Sequence, residues 1–297
     1  MRWMIFLLAV MASGCTQAAT TNAKANTGIN TGQLLEGHPT LNERGKGRRI
    51  TGRELFVVSS EMRAYLDRVG VGNSPIVRLN AVLKDLKAKD FRLHYDLNQT
   101  ASAAEAFSEK RGNCVSFAAM VVSMARYLGA EARLNQAAIP VRQQLAANTA
   151  ESGYVQNIRH INAVVISDGR PYVIEEDFRI FAGKYLSQLS DREAYAIYLN
   201  NLAMEAVRRE EYAEAFHYSR EAILNNEEAS YLWAGLGTVY RRSGQLELAR
   251  KSYQHALALN NEDSVARHNL RILRQARTHE QEPPPAPGTG NYRPQPI

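Results

Sequence analysis

Cysteine is scarce in this chain. Its 297 residues include two, Cys15 and Cys114, too few for the disulfide framework that holds small secreted scaffolds together. Apolar runs are short as well. Met4 to Met11 is the apolar stretch of the N-terminus, and it cannot cross a bilayer as a helix. Two further absences narrow the chemistry. No metal-ligand spacing and no phosphate-binding glycine loop is present, so neither a metal nor another cofactor is expected. Basic residues do not form a stripe interleaved with aromatics, which argues against nucleic acid as a partner.

What is present describes an ordinary globular chain. Hydrophobic residues make up 45% and charged residues 22%, enough apolar content for about two domains at this length. The formal net charge of +6 is modest, and part of it sits between Arg44 and Arg53. That cluster reads as a solvated linker rather than a lipid-contacting patch. Residues 15–50 are rich in Thr, Asn, Gly and Ala and read as a flexible tether. The Pro-rich end, residues 278–297, cannot build a core and reads as disordered.

The stretch Arg111-Gly112-Asn113-Cys114-Val115-Ser116 carries the first chemical signal. A Gly-Asn turn is followed at once by an apolar run with Phe117, Val121, Met124, Ala125 and Leu128 on one face, and Gly129 closes it. Cys114 therefore falls on the first turn of a helix. Unpaired N–H groups and the dipole there favour a thiolate, and Arg111 adds positive charge. The competing reading is a small buried cysteine that only packs.

Around this helix the pattern predicts a mixed fold. Helices are expected over Glu54 to Val69 and Ile76 to Leu86, a short strand at Phe91 to Tyr95, and a short helix capped by Thr100 or Ser102. After the cysteine helix, Ala132 and Leu134 look extended, and Gln143 to Gly153 reads as a loop. A β-branched strand runs from His160 to Ser167, Asp168-Gly169 makes a hairpin turn, and Tyr172 to Ile174 return. From Asp191 onward the chain is helical and repeats. Leu202, Ala203, Ala215 and Ala222 recur as Leu236, Gly237, Ala249 and Ala256, each 34 residues later, which is the tetratricopeptide period. A last helix near Asp263 to Ala276 would cap the stack.

A cysteine nucleophile needs a base, and the base needs a third group to orient it. His160 is the best-placed base, at the start of the strand after the helix, with His94 as runner-up. The third member is an acid on the next strand. Glu175 and Asp177 would share a face if that strand continues, with Glu176 pointing away. Asp177 is preferred and Glu175 stands close behind.

Two resemblances follow from these residues. Ala12-Ser13-Gly14-Cys15 after the apolar run resembles a bacterial lipoprotein signal, which implies residues 1–14 as signal peptide and Cys15 as the lipidated residue. The alternative is a secretory signal cut near Ala18-Ala19. Thr16 after the cysteine resembles the pattern sorted to the outer membrane. With Cys15 lipidated, Cys114 has no disulfide partner. The second resemblance rests on Arg111-Gly112-Asn113-Cys114 with Ala118, on His160-Ile161-Asn162-Ala163-Val164-Val165, and on Tyr172-Val173-Ile174 leading to Asp177. These resemble the transglutaminase-like branch of papain-type cysteine enzymes. Glu175 stands where that family usually places its Asp.

The resemblance implies an α+β core with a cysteine-bearing helix packed on an antiparallel sheet, over residues 51–190. An all-α tetratricopeptide module follows over residues 191–277. It implies acyl transfer: the Cys114 thiolate attacks an amide carbonyl, His160 protonates the leaving amine, and backbone N–H groups at the helix start hold the oxyanion. The expected substrate is a protein or peptide, hydrolysed by a protease or amidase. A protein partner is expected at the repeats, and membrane attachment through the lipid on Cys15. Two alternatives remain: a non-catalytic adaptor that binds through its repeats, and a cross-linking transglutaminase.

Overall fold

The structure, a computed structural model, describes residues 29–42, 52–137, 142–146, 154–158, 160–182 and 187–281. The lipoprotein-like signal, Cys15 and the Pro-rich end after residue 281 lie outside the described residues, as does most of the Arg44 to Arg53 cluster.

Two short helices come first, α1 (Thr31–Glu36) and α2 (Pro39–Asn42). They correct the reading of residues 15–50 as tether throughout. Leu34 is fully buried and Leu41 nearly so, and both pack on the C-terminal helices. The Tyr240 hydroxyl donates to the Leu34 carbonyl. Gly37 sits so close to the Phe216 ring that a Cβ there would lie 2.3 Å from it. Two buried leucines in a polar stretch are too few to register as periodicity, so the sequence does not announce them.

The mixed domain begins with α3 (Gly52–Leu55), α4 (Ser60–Val69) and α5 (Pro75–Ala88). Ser59 caps α4 by accepting from the Met62 N–H at 3.1 Å. A two-residue strand β1 (His94–Tyr95) leads to α6 (Ala103–Glu109), which opens with a capping box between Ser102 and Glu105. Strand β2 (Arg111–Gly112) pairs parallel with β1, Tyr95 opposite Gly112. Then comes α7 (Cys114–Tyr127), buried at every residue from Cys114 to Ala125.

Helix α7 packs on one antiparallel sheet. Its strands are β3 (Glu131–Gln136), β6 (Ile161–Ser167), β7 (Arg170–Ile174), β8 (Ile180–Ala182) and β9 (Ser187–Gln188), in the order β8-β7-β6-β3-β9. The Asp168-Gly169 turn has both residues at positive φ, 50° and 72°, the primed geometry that matches the twist of a two-residue hairpin. Gln143 to Gly153 read as a loop, but Gln143 to Ala146 belong to a strand, β4 (Arg142–Ala146), which pairs antiparallel with β5 (Tyr154–Ile158). Polar composition hid it, since neither strand alternates apolar with polar.

Five helices follow among the described residues: α8 (Asp191–Arg208), α9 (Tyr212–Asn225), α10 (Ser230–Arg242), α11 (Leu246–Leu259) and α12 (Ser264–Gln281). The 34-residue pattern has a packing cause: at Gly237 a Cβ would come within 2.6 Å of the Tyr253 ring, so α10 and α11 approach only through a residue without one. The module is joined firmly to the first domain. Arg126 near the end of α7 makes a bidentate pair with Asp191 at 2.7 and 2.8 Å, and the Leu189 N–H donates to the Leu134 carbonyl of β3. The β5 strand lies against α10 and α12. Among the described residues no helix is long and apolar enough to cross a membrane.

Candidate active site

The start of α7 is built to close tolerance. Asn113 is its N-cap: the side-chain oxygen accepts from the Val115 and Ser116 N–H groups at 3.1 and 3.2 Å. The Ser116 hydroxyl reaches back to accept from the N–H of Asn113 and of Ala101. Gly112 makes this approach possible. Its φ is +151°, and a Cβ there would lie 2.5 Å from the Ser116 Cβ.

Cys114 follows, 4% exposed. The backbone of Ile161, the Tyr95 hydroxyl and the backbone of Val115 hydrogen-bond the sulfur and favour its anion. Burial outweighs them and pushes the thiol up, with Glu176 adding repulsion. The N–H groups at the helix start favour the anion as the sequence suggests, but burial of a 4%-exposed sulfur opposes them and is the larger effect. Arg111 does not assist, because its guanidinium is half-exposed and lies 3.8 Å from Asp96.

His160 stands immediately before Ile161, the residue whose backbone touches the sulfur. Its Nε2 lies 3.0 Å from Oε2 of Glu175. An ionised carboxylate only accepts, so Nε2 carries the proton in that pair, and Nδ1 is the nitrogen left for exchange with a thiol. The other carboxylate oxygen of Glu175 accepts from Asn162 Nδ2 at 2.9 Å, and Asn162 Oδ1 accepts from Asn135 Nδ2 at 2.9 Å. Asn135 and Asn162 are buried cross-strand partners on β3 and β6. They hold the acid from below while it holds the imidazole. The spacing offered a signal for Asn162, since residues two apart on a strand share a face.

The acid next to His160 is therefore Glu175, and the preference for Asp177 is corrected. The expectation required β7 to continue, but β7 ends at Ile174. A tight turn follows, with the Phe178 N–H donating to the Glu175 carbonyl and the Glu175 N–H to the Arg179 carbonyl. Phe178 adopts a left-handed φ of 59°, costly for a bulky residue. Its ring is seated between Phe117 and Phe91, at centroid distances of 5.4 and 6.3 Å, and that burial offsets the strain. The turn throws Asp177 outward, where it is exposed and pairs with Arg179. It also brings Glu176 inward, contrary to the expectation that this residue points away. Glu176 is half-buried and faces Cys114 and His160. Burial raises its carboxyl pKa, the His160 charge opposes that, and Glu175 and Asp177 reinforce it.

His94, the alternative base, is exposed, and alternation along β1 turns it away from the face on which Tyr95 meets the thiol. Tyr95, Asn135, Glu176 and the cap residue Asn113 are site-lining residues that the sequence did not single out by role. Among the described residues no group of three His, Cys, Asp or Glu side chains could hold a metal ion. A cleft of about 340 Å³ lies at the far end of α7, between Arg126, Arg133 and Asp191, and Cys114 does not line it.

Residues 68–172 match the transglutaminase-like superfamily, and residues 230–263 match the tetratricopeptide repeat. Cys114 and His160 lie inside the first match, and Glu175 lies three residues beyond its end. No curated protein and no solved structure matches the chain. The chain thus carries a transglutaminase-like domain followed by a repeat module.

Proposed function

We propose that the protein is a cysteine acyl-transfer enzyme that hydrolyses an amide or peptide bond. Cys114 is the nucleophile, His160 the base and acid, and Glu175 the residue that orients His160. The observation that carries this reading is the His160–Glu175 pair at 3.0 Å, fixed beside the backbone that contacts the Cys114 sulfur. At rest the thiol keeps its proton. When an amide enters, His160 Nδ1 takes that proton and the sulfur attacks the carbonyl carbon. Backbone N–H groups at the start of α7 are proposed to hold the oxyanion. The imidazolium, stabilised by Glu175, returns its proton to the leaving nitrogen, and a thioester forms. Water, deprotonated by His160, then attacks the thioester and releases the acid and the thiol. Transfer to an amine in place of water would make the same site a cross-linking transglutaminase.

The repeats are proposed to hold a protein partner or the substrate, and Cys15 to carry a lipid that fixes the protein at the bacterial outer membrane, facing the periplasm. A second reading, a non-catalytic adaptor, is favoured by one observation: Cys114 is 4% exposed and its thiol is pushed up. A thiol-directed acyl probe separates the two. In a Cys15→Ser background at neutral pH the parent chain should label and Cys114→Ser should not, with His160→Ala labelling far more slowly. Equal labelling of the parent chain and His160→Ala refutes the enzymatic reading.

A further inference from the structure

A buried polar chain runs from the repeat module to the helix that bears Cys114. On α8, Glu205 is 8% exposed. Its Oε1 accepts from the Thr100 hydroxyl at 2.6 Å. Thr100 Oγ1 in turn accepts from Asn113 Nδ2 at 2.7 Å. The other end of the Asn113 amide, Oδ1, caps α7 one residue before Cys114. Thr100 and Asn113 are buried, 8% and 3% exposed.

The polarity of this chain is determined at Glu205. In its ionised form Glu205 has no proton to give, so the Thr100 hydroxyl donates to it. The Thr100 oxygen is then an acceptor, and it selects the NH₂ end of the Asn113 side chain. That leaves the carbonyl end facing the helix N–H groups, the orientation a cap requires. With the amide reversed, an NH₂ group would face those N–H donors.

The repeat itself has no need of this acid. The residue 34 positions later is Val239, fully buried on α10. The repeat architecture therefore accepts an apolar side chain where α8 buries a carboxylate, and a buried acid carries a desolvation cost. Burial pushes the Glu205 carboxyl up to about 7. The residues that face it are Thr100 from the first domain, Arg208 on its own helix and Arg209 just after that helix ends. Arg209 is shared with Glu211 and Glu214.

We propose that Glu205 is a positioning residue for Cys114, so that the repeat module supplies the last member of the nucleophile's support. The proposal rests on the reading of Cys114 as the nucleophile. It makes the repeats part of the site rather than an appended adaptor, and any partner that shifts α8 acts on the reactivity of Cys114.

The test uses the full chain in a Cys15→Ser background, where Cys114 is the one thiol. Iodoacetamide alkylation is followed against pH, with thermal midpoints measured in parallel at pH 8. In Glu205→Val and Thr100→Val the pH of half-maximal alkylation should rise by about half a unit to one unit, the worth of one hydrogen bond lost between the disturbed helix start and the sulfur. Glu205→Gln, whose carbonyl still accepts from Thr100, should lie between these and the wild type. The Glu205→Val midpoint should not fall, because a buried charge is removed. Loosening alone would expose the thiol and move the profile down. A Glu205→Val profile that superimposes on wild type, or moves down, overturns the proposal. So does a rise that occurs only with a lowered midpoint and without rescue by glutamine. His160→Ala, alkylated in the same series, reports on the nucleophile reading separately: an unchanged rate there refutes that reading whatever Glu205 does.

Discussion

Replacing Glu175 by Gln is the most direct probe of the His160 support. The carboxylate accepts two hydrogen bonds, from His160 Nε2 at 3.0 Å and from Asn162 Nδ2 at 2.9 Å. Glutamine has one oxygen and cannot serve both. Asn162 is buried and its own oxygen is engaged by Asn135, so it retains the glutamine carbonyl. The glutamine NH₂ then faces His160 Nε2, which must become an acceptor, and the ring proton moves to Nδ1. The nitrogen that should receive the thiol proton is thereby occupied. A charge-assisted hydrogen bond contributes about 1.5–3 kcal/mol, or about 10- to 150-fold in the population of the thiolate–imidazolium pair. The His160 side chain is 32% exposed, so water screens part of this and a loss of about tenfold is expected. The assay is the alkylation rate of Cys114 at pH 7, with Asp177→Asn beside it. Asp177 is exposed and bound to Arg179, so its variant should stay within about twofold of wild type. A Glu175→Gln rate equal to wild type, or a fall in Asp177→Asn alone, refutes the assignment.

Three further outcomes follow from the same geometry. Glu176→Gln removes a negative charge that raises the Cys114 pKa, so the alkylation profile should move to lower pH, with the difference fading once the wild-type carboxyl is protonated. Glu205 ionises at about 7 when folded against an ordinary 4.5. The folded state therefore holds its proton more tightly, and stability falls as pH rises from 4.5 through 7. Denaturant unfolding of Glu205→Gln against wild type should show a gain of up to about 3 kcal/mol at pH 8 that disappears at pH 4. Gly112→Ala places a Cβ 2.5 Å from Ser116 at a φ of +151°. It should cost about 2 kcal/mol or more in the same assay, and slow alkylation at Cys114.

The parts legible in the sequence are those with periodic or turn chemistry. The apolar face of α7, the Asp-Gly hairpin and the 34-residue repeat each repeat a local rule, and the structure carries the α+β domain and the helical module that they imply. The errors lie where a tertiary contact outweighs a local pattern. Extrapolating β7 by two residues made Asp177 attractive; Phe178, drawn between Phe117 and Phe91, ends the strand and reverses the roles of residues 175–177. The place of the thiol on the helix favours an anion, but the opposing burial is set by the whole domain. Glu205 and Thr100 are 105 residues apart, and no spacing rule connects them. Asn162 was the missed signal within reach, since it shares a strand face with His160.

The seating of α1 on the repeats has a consequence for how the molecule is made. Leu34 and Tyr240 are joined across 206 residues, so the first described helix waits for nearly the last. Until α10 exists, Leu34 has no site. Until α1 arrives, the ring of Phe216 against Gly37 and the Tyr240 hydroxyl lack their cover. Contacts of this sequence separation form late and slowly. The repeats can assemble from their neighbours alone, but their apolar flank closes only when the beginning of the chain returns to it. The Leu34–Tyr240 contact thus clasps α1 to α10 across the intervening domain, and a chain cut between them would lose the cover that each gives the other.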